Sequence, residues 1–413
     1  MKTLCLFTNQ FPYKGGETFL ETEINYLSKS FDQVIIYPMS GFENELLPIP
    51  NNVKVVNYNI QQPVYLRKLV LNYGWVIAQW FILEFIKSPF RFKYISQFNW
   101  NFKRLVGLLN AAVGIKKELE KEWLNKDVKS YKIYTYWFND WASILALANC
   151  IGLKKSFVTR VHLYDFEEAF YVRKYLPFRR TEMKYPEKIL AISDYASNYL
   201  KNMFPQYAYK IHTSKLGVED IGYNPIAEGN PYTIVSCSSL TWYKRPLKLV
   251  ELISELKVPI KWVHFGDGDM KDQFLDKTME LPDNIEFIWK GQVSNSVVTQ
   301  FYKENNVDLL VNVSSFEGIP VSLMEAISFG IPIVGCNVCG QPEIVNNQTG
   351  LLLDSNFESS NTADKIQVFL LEKSRNQLFR SNVKGFWKDN FNAERNYTKF
   401  SNQLRIADSG KFN

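Results

Sequence analysis

The sequence predicts an α/β protein in which two Rossmann-like parallel-sheet domains face each other across a cleft. Short apolar runs alternate with helical stretches along most of the chain, which favours parallel sheets covered by helices on both faces. The 413 residues are too many for one compact core and enough for two domains. In such sheets ligands bind outside the carboxyl ends of the strands, so we expect functional residues in the loops there.

A Gly-, Pro- and Asn-rich stretch at residues 223–231 divides the chain and is the natural linker. We therefore expect an N-terminal domain over residues 1–222 and a second domain over residues 232–392. A helical stretch within residues 393–413, roughly Ala393–Ile406, ends the chain.

The individual elements follow from apolar runs and helical stretches between turn residues. In the first half the runs predict strands at Thr3–Thr8, Gln33–Pro38, Val53–Asn57, Lys132–Tyr136, Phe157–His162, Lys188–Ile192 and Lys210–Thr213. Helices are predicted at Glu17–Lys29, Ala142–Cys150 and Tyr195–Met203. In the second half the runs predict strands at Tyr232–Cys237, Ile260–Phe265, Ile285–Lys290, Leu309–Val313, Ile331–Gly335 and Gly350–Leu353.

Bulk composition favours a soluble enzyme of the cytoplasm. Apolar residues make up 46% and charged residues 22%, which are ordinary values for a globular protein. The chain passes from Met1 and Lys2 straight into an apolar strand, so we expect no secretory signal peptide. Five scattered cysteines do not form a disulfide pattern and suit a reducing compartment, and we interpret Cys336 and Cys339 as ordinary loop cysteines.

An aromatic and basic insertion lies at about residues 63–129. Residues 61–130 contain 12 Lys and Arg against 5 Asp and Glu, a local net charge of +7. Asn72, Gln79 and Glu84 interrupt the most apolar part, which argues against a membrane span. Amphipathic helices of this composition suit the surface of an anionic membrane. The alternative is a pair of helices packed on the N-terminal domain with ordinary surface lysines, and nucleic acid is a weaker explanation.

The most informative segment runs from Ser314 to Glu343, where two carboxylates flank a Gly-Ile-Pro turn. An apolar strand precedes this turn and a helical run follows it, so backbone N–H groups and the positive end of the helix dipole meet at one point. Such a point binds phosphate in α/β domains. Glu317 at the mouth of the turn and Glu325 in the helix can accept hydrogen bonds from sugar hydroxyls. Alternatively, Glu317 only caps the helix and Glu325 is a solvated helix residue.

This segment resembles the C-terminal signature of the family 4 glycosyltransferases of the bacterial surface-polysaccharide type. They are the retaining E-x7-E group, with a GT-B fold. The positions that carry the resemblance are Ser314, Glu317, Gly318, Pro320, Glu325, Ala326, Gly330, Pro332, Gly340, Pro342, Glu343, Gly350 and Leu351. The resemblance implies that the C-terminal helix crosses back onto the N-terminal domain.

In the second domain the resemblance implies a site for a nucleotide-sugar donor. Glu317 would hold hydroxyls of the transferred sugar, and Glu325 those of the nucleotide ribose. The amides of Gly318 and Ile319 would face the leaving phosphate.

Two donor-binding cations are also expected from the resemblance. Lys244 fits the family's lysine, which faces the donor phosphates. The family's arginine position falls on Ser239, a departure that Arg245 would compensate as a second cation. Cations are mildly unfavourable at a helix start, and their presence before Pro246 therefore indicates an anionic ligand.

Two motifs of the N-terminal domain also match the family. The pair Gly15 and Gly16 precedes a helix and can offer amides to an anion. In the family this loop lies near the donor diphosphate and the acceptor, so Gly16 would approach the donor, and Gly15 and Glu17 would shape the acceptor side. Residues 160–165 resemble the family's Arg-x-His-Gly-x-Asp. His162 would then contact the donor sugar and Asp165 or Arg160 would shape the loop, although Leu163 replaces the usual glycine.

No metal or other cofactor is expected. The Asp-x-Asp pair of Asp267 and Asp269 matches a divalent-ion motif of a different glycosyltransferase architecture, but it lies in the turn after a predicted strand. We interpret this turn as one that supplies backbone contacts or caps a helix. Without a metal, the leaving diphosphate needs cations and oriented amides, which is the role implied for Lys244 and its neighbours.

The sequence thus predicts a retaining glycosyltransferase in surface polysaccharide synthesis, with a nucleotide-sugar as substrate. The acceptor is a saccharide, expected to be lipid-linked if the insertion contacts the inner face of the cell membrane. Two alternatives remain. One is a non-catalytic GT-B-like protein that binds sugar nucleotides or glycans, for which Ser239 is the best argument. The other is a soluble glycosyltransferase that acts on small metabolites.

Overall fold

The computed structural model describes residues 2–58, 66–87, 95–124, 130–171 and 174–406, which form two compact units. Unit 1 contains the chain up to Ile192, residues Ala196–Ser214 and the chain from Tyr397 onward. Unit 2 contains Ser193–Tyr195 and Lys215–Asn396. Each unit has its own sheet of parallel strands covered by helices, so the predicted α/β class with two Rossmann-like parallel-sheet domains is confirmed.

Unit 1 is built on a seven-stranded sheet in the order β3-β2-β1-β4-β5-β6-β7. Its strands are β1 Lys2–Thr8, β2 Gln33–Pro38, β3 Val53–Val55, β4 Ser130–Thr135, β5 Val158–Val161, β6 Lys188–Ala191 and β7 Ile211–Thr213. Its helices are α1 Thr18–Ser30, α2 Leu66–Lys87, α3 Ile95–Leu124, α4 Asp140–Cys150, α5 Arg179–Glu182 and most of α6 Asp194–Met203. The strand order reverses between β1 and β4, which makes the loops after these two strands the expected ligand site.

One core cluster of unit 1 lies between the sheet and helix α1. Leu4 and Leu6 of β1 pack with Leu20 and Ile24 of α1, and each of these side chains is at most 1% exposed. Helix α13, Ala393–Ile406, begins in unit 2, but its residues from Tyr397 belong to unit 1. Phe400 and Leu404 of this helix pack in the unit 1 core. The end of the chain is therefore part of the first core rather than a tail of the second unit.

Unit 2 is built on a six-stranded sheet in the order β10-β9-β8-β11-β12-β13. Its strands are β8 Tyr232–Cys237, β9 Ile260–Phe265, β10 Ile285–Trp289, β11 Leu309–Asn312, β12 Ile333–Cys336 and β13 Gly350–Leu353. Its helices are α7 Pro246–Ser254, α8 Lys271–Thr278, α9 Asn295–Glu304, α10 Val321–Ser328, α11 Ser359–Glu372 and α12 Gln377–Asn390. The order reverses between β8 and β11, so the loops after these strands form the second expected ligand site.

The chain passes from unit 1 to unit 2 at Lys215, before the predicted linker. The stretch 223–231 lies in unit 2, because the side chain of Asn224 binds the carbonyl oxygens of Tyr302 and Asn305 and accepts the N–H of Val307. A turn-rich composition therefore marks an anchored segment of the second unit here. All thirteen predicted strands are present, with ends that differ by at most two residues.

The predicted insertion contains two long helices in its described parts, α2 and α3. Helix α2 is interrupted by a kink at Tyr73, where φ is −134° and ψ is 17°. Residues Leu66–Ile86 are long and apolar enough to cross a membrane by length and composition, although Asn72, Gln79 and Glu84 interrupt them. Residues 59–65, 88–94 and 125–129 of the insertion lie outside the described part of the chain.

Candidate functional sites

In unit 2, a lysine and a glutamate meet at the point where the strand order reverses. Lys244 comes from the loop after β8 and Glu317 from the loop after β11. The Nζ of Lys244 donates to both carboxylate oxygens of Glu317, at 2.6 Å and 2.8 Å. The two side chains are 14% and 13% exposed, so the pair is largely shielded but still open to a ligand. The structure thus brings together two of the predicted site residues.

The backbone around Glu317 is held by the loop after β12. The N–H of Gly340 donates to the carbonyl oxygen of Glu317 at 3.1 Å. A Cβ atom on Gly340 would lie 1.9 Å from the carbonyl oxygen of Gly318, so only glycine allows this close approach. Glu317 does not cap helix α10, because the residue before the helix is Pro320 and its cap has no side-chain hydrogen bond. The alternative role of Glu317 as a helix cap is therefore wrong.

The start of helix α10 supplies backbone donors beside this pair. Gly318 and Ile319 lead through Pro320 into the helix, whose first N–H groups have no partner within the helix. They lie at the positive end of the helix dipole, where an anion is stabilised. The predicted phosphate-binding turn is thus followed by a helix as expected.

Glu325 lies on the same helix and is buried, with 9% of its surface exposed. The side-chain amide of Asn295, the first residue of α9, donates to its Oε1. Burial raises the pKa of Glu325 to about 7, although the hydrogen bond from Asn295 acts in the opposite direction. The alternative role of Glu325 as a solvated helix residue is therefore wrong.

The side chain of Arg245 binds the strand ends of unit 2. Its backbone is left-handed, with φ of 53°, and its guanidinium donates to the carbonyl oxygens of Val313, Ser314 and Ser355 and to the sulfur of Cys336. These contacts brace the loops after β11, β12 and β13. The predicted phosphate contact of Arg245 remains a prediction, but its donors are already engaged by the protein.

Ser239, at the family's arginine position, lies 3.5 Å from Thr241 through their hydroxyl groups. Asp267 accepts the N–H of Gly268 and lies 3.8 Å from the ammonium group of Lys271, so this carboxylate holds the turn after β9. Among the described residues no group of three or more His, Cys, Asp or Glu is placed to hold a metal ion.

In unit 1, a cavity of about 620 Å³ opens at the corresponding reversal point. Its walls come from the loops after β1, β2 and β4. They present amides, a hydroxyl and one indole ring, together with the glycine pair: Asn9, Gln10, Gly15, Gly16, Ser40, Trp137 and Asn139. The predicted Gly15–Gly16 loop thus lines a real cavity.

Glu17 organises this cavity through its carboxylate. It accepts the backbone N–H groups of Asn9, Gln10 and Phe11 at 2.6–3.1 Å and the indole N–H of Trp137 at 2.9 Å. The side chain is 8% exposed. Gly16 is required beside it, since a Cβ there would lie 2.7 Å from the nitrogen of Phe11. Glu17 therefore fixes the loop after β1 and the position of Trp137.

His162 is buried under two aromatic rings at the end of β5. Its ring centroid lies 4.2 Å from that of Trp137 and 4.8 Å from that of Tyr136. Burial and the nearby charge of Arg160 lower the pKa of His162 to about 3, so the imidazole is neutral at pH 7. Its Nε2 has no hydrogen-bond partner among the described residues.

Asp165 accepts the backbone N–H of His162 at 2.9 Å, and burial raises the pKa of Asp165 to about 6. This contact fits the loop-shaping role expected for Asp165. Arg160 lies instead in the core, where it pairs with Glu23 at 2.7 Å and stacks 4.2 Å from the ring centroid of Phe400.

The comparison with protein families addresses unit 2 directly. Residues 224–386 match the family model described as "Glycosyl transferases group 1", and this range contains Lys244, Glu317 and Glu325. This segment belongs to the group 1 glycosyltransferases. The predicted family resemblance is thereby confirmed for the part of the chain that carries the strongest motif.

Proteins of bacterial polysaccharide synthesis are among the relatives that match part of this chain. The putative colanic acid biosynthesis glycosyltransferase WcaL of Escherichia coli (strain K12) is 28% identical over 218 residues, 49% of this chain and 53% of that protein. The O-antigen biosynthesis glycosyltransferase WbnH of Escherichia coli is 31% identical over 159 residues, 37% of this chain and 42% of that protein. The matches span about half the length of these curated relatives or less.

Solved glycosyltransferases share the fold of this chain over almost its whole length. The lipopolysaccharide outer core galactosyltransferase WaaB superposes with a TM-score of 0.68, at 15% identity, over 98% of this chain and 99% of that one. The Anabaena protein Alr3699/HepE in complex with UDP gives a TM-score of 0.63 at 14% identity, over 98% and 100%. These neighbours have the GT-B fold, so the predicted fold is confirmed.

Several residues of the two sites were missed by the sequence argument. Asn295 begins α9 and reaches Glu325, 30 residues further along the chain. In unit 1, Trp137 and Asn139 follow β4, the strand that neighbours β1 across the reversal point. The signal for this second pair was available, because a polar or aromatic residue directly after such a strand is a candidate for ligand contact.

Proposed function

We propose that the protein is a retaining, metal-independent glycosyltransferase that moves a sugar from a nucleotide-diphosphate donor to a hydroxyl group of a saccharide acceptor. The observation that carries this proposal is the Lys244–Glu317 pair beside the start of helix α10. A cation, a row of helix N–H groups and a carboxylate at one point suit an anionic diphosphate with a hydroxyl-bearing sugar attached.

The chemistry follows from the charge that develops as the donor bond breaks. Negative charge grows on the leaving phosphate, where the Lys244 ammonium group and the amides of Gly318 and Ile319 stabilise it. Glu317 holds hydroxyls of the transferred sugar. Glu325 accepts from hydroxyls of the ribose. The leaving phosphate itself helps to deprotonate the attacking hydroxyl, so no side-chain nucleophile is required.

We propose the cavity of unit 1 as the site for the acceptor saccharide. Its walls combine the indole of Trp137 with the amides of Asn9 and Asn139 and the hydroxyl of Ser40. An aromatic face with amide and hydroxyl groups around it matches a sugar ring, which has apolar C–H patches and many hydroxyls. The contact of His162 with the donor sugar, which the family resemblance implies, stays a prediction, because the Nε2 of this imidazole is buried.

We propose a lipid-linked acceptor in surface polysaccharide synthesis, with the enzyme on the cytoplasmic face of the cell membrane. The named relatives act in colanic acid and O-antigen biosynthesis. The basic and aromatic composition of residues 61–130 favours contact with anionic lipid. Five scattered cysteines suit a reducing compartment.

The proposal is tested with a panel of nucleotide sugars. A donor should raise the melting temperature, and the enzyme should release the nucleoside diphosphate when a saccharide acceptor is added. Release should persist in EDTA, and the product should keep the anomeric configuration of the donor, as read by NMR. A donor that binds but is never consumed with any acceptor would favour the non-catalytic alternative. Activity only on small soluble acceptors would favour the alternative of a soluble glycosyltransferase that acts on small metabolites.

A further inference from the structure

Helix α2 exposes large apolar side chains that the unit 1 core leaves uncovered. Leu71 is 76% exposed, Trp75 57%, Ile82 57% and Ile86 67%. Trp75, Ile82 and Ile86 recur at spacings of seven and four residues, which places them on one side of the helix. These four residues are called the outer face of α2 below. A soluble domain rarely leaves such a row in water without a function.

The opposite side of α2 is packed on unit 1. Val76, Ile77 and Trp80 are at most 7% exposed. The indole N–H of Trp80 contacts the sulfur of Cys150, and its ring lies 5.8 Å from that of Phe178. The part of the helix after the kink at Tyr73 is therefore fixed against its own domain, and the outer face is directed away from that packing.

This packing favours a helix that lies on a membrane over one that crosses it. Glu84 is 2% exposed, and its carboxylate accepts a hydrogen bond from the hydroxyl group of Tyr175. A span would have to leave the packing around Trp80 and carry Glu84 into the hydrocarbon layer, where a carboxylate is costly. Immersing only the outer face requires neither change.

The charge next to the outer face indicates which surface it meets. Arg67 and Lys68, in the first turn of α2, are exposed. Residues 61–130 of the sequence, which include α2, carry a net charge of +7. Exposed Trp and aliphatic side chains with neighbouring cations are the combination that binds an anionic bilayer at its interface.

A second copy of the chain fits this surface less well. Four side chains with these exposures offer on the order of 500 Å² of apolar area. A stable interface buries about 800 Å² on each partner.

We propose that the outer face of α2 inserts into the interfacial layer of an anionic membrane and lies parallel to the bilayer plane. This proposal deepens the proposed function and rests on it for one point, that the acceptor is lipid-linked. The inserted face would then hold the enzyme at the surface from which such an acceptor projects.

The test is sedimentation of the full-length protein with vesicles, one set of phosphatidylcholine and one with about a third phosphatidylglycerol. The triple variant Trp75→Ser, Ile82→Ser, Ile86→Ser should lose at least tenfold in affinity for the anionic vesicles. The matched control Met279→Ser, Leu378→Ser removes two apolar side chains of unit 2 that are 80% and 73% exposed, and it should bind like the wild type. Arg67→Gln, Lys68→Gln should weaken binding at low salt only. Equal melting temperatures show that each variant is folded.

The proposal is overturned if the triple variant binds anionic vesicles as the wild type does, or if the wild type binds neither set. It is also overturned if the wild type is a dimer that the triple variant dissociates, since a second copy then covers the face. Nucleotide release with a water-soluble acceptor should be unchanged in the triple variant. Vesicle binding without any nucleotide release in the wild type would contradict the proposed function and leave the membrane surface supported.

Discussion

The ammonium group of Lys244 lies 2.6 Å and 2.8 Å from the two carboxylate oxygens of Glu317. The residue proposed to hold phosphate and the residue proposed to hold sugar thus neutralise each other. A donor brings one replacement for each partner, a diphosphate for Lys244 and sugar hydroxyls for Glu317. The pair therefore keeps both charges satisfied until the donor exchanges with them.

This pairing predicts a measurable coupling in the free protein. Lys244→Met or Glu317→Gln alone should lower the free energy of unfolding in urea by about 1–3 kcal/mol, because the remaining partner is left poorly compensated. The double variant should be less destabilised than the sum of the two. Lys248→Met on the neighbouring helix breaks a more exposed pair with Glu251 and should cost at most about 1 kcal/mol. Strictly additive effects of Lys244 and Glu317 would contradict the pairing.

Glu325 predicts a pH-dependent stability. Its folded-state pKa is about 7, above the ordinary 4.5. The contribution of Glu325 to the free energy of unfolding is therefore fully present below about pH 4.5 and is lost as the pH rises through 7. Glu325→Gln keeps an oxygen for Asn295 but does not titrate, so its stability relative to the wild type should increase from pH 5 to pH 8, by up to about 3 kcal/mol. Urea unfolding at each pH measures this, and Glu280→Gln is an exposed control. A difference that does not change with pH would refute the assignment.

Glu17 predicts a defect confined to the acceptor side. Glu17→Gln replaces one carboxylate oxygen with an amide that faces the N–H groups of Gln10 and Phe11, so the loop after β1 should loosen. We expect the KM for the acceptor to rise at least tenfold, while the affinity for the nucleoside diphosphate stays unchanged. Trp137→Phe removes only one hydrogen-bond donor to Glu17, the indole N–H, and should raise the KM for the acceptor by less. Glu45→Gln, an exposed carboxylate paired with Lys14, is the matched control. If Glu17→Gln weakens binding of the nucleoside diphosphate as much as binding of the acceptor, the assignment of Glu17 to the acceptor side is contradicted.

The fold was accessible from the sequence because buried parallel strands are short apolar runs, and each such run became a strand. The site of unit 2 could be predicted from the sequence because one strand–turn–helix unit fixes the spacing from Glu317 to Glu325. The linker was misplaced for a physical reason. Stretch 223–231 has a turn composition, but the side chain of Asn224 ties it to unit 2.

Contacts between distant segments could not be derived in the same way. The direction of the Arg245 side chain depends on a left-handed backbone at that residue. This backbone turns the guanidinium toward the carbonyl oxygens of Val313 and Ser355. The four donors gathered by Glu17 come from two loops more than a hundred residues apart. Such contacts depend on which strands become neighbours, and local patterns do not contain that information.

The most direct measurement of the central claim is release of the nucleoside diphosphate by the wild type, Lys244→Ala, Glu317→Ala and the control Lys248→Ala, with a donor that shifts the melting temperature. If Lys244 stabilises the leaving phosphate and Glu317 holds the transferred sugar, both site variants should lose at least a hundredfold in kcat/KM, about 2.7 kcal/mol of transition-state stabilisation. Lys248→Ala should match the wild type. An active wild type whose Lys244→Ala and Glu317→Ala variants turn over at the same rate would contradict the account.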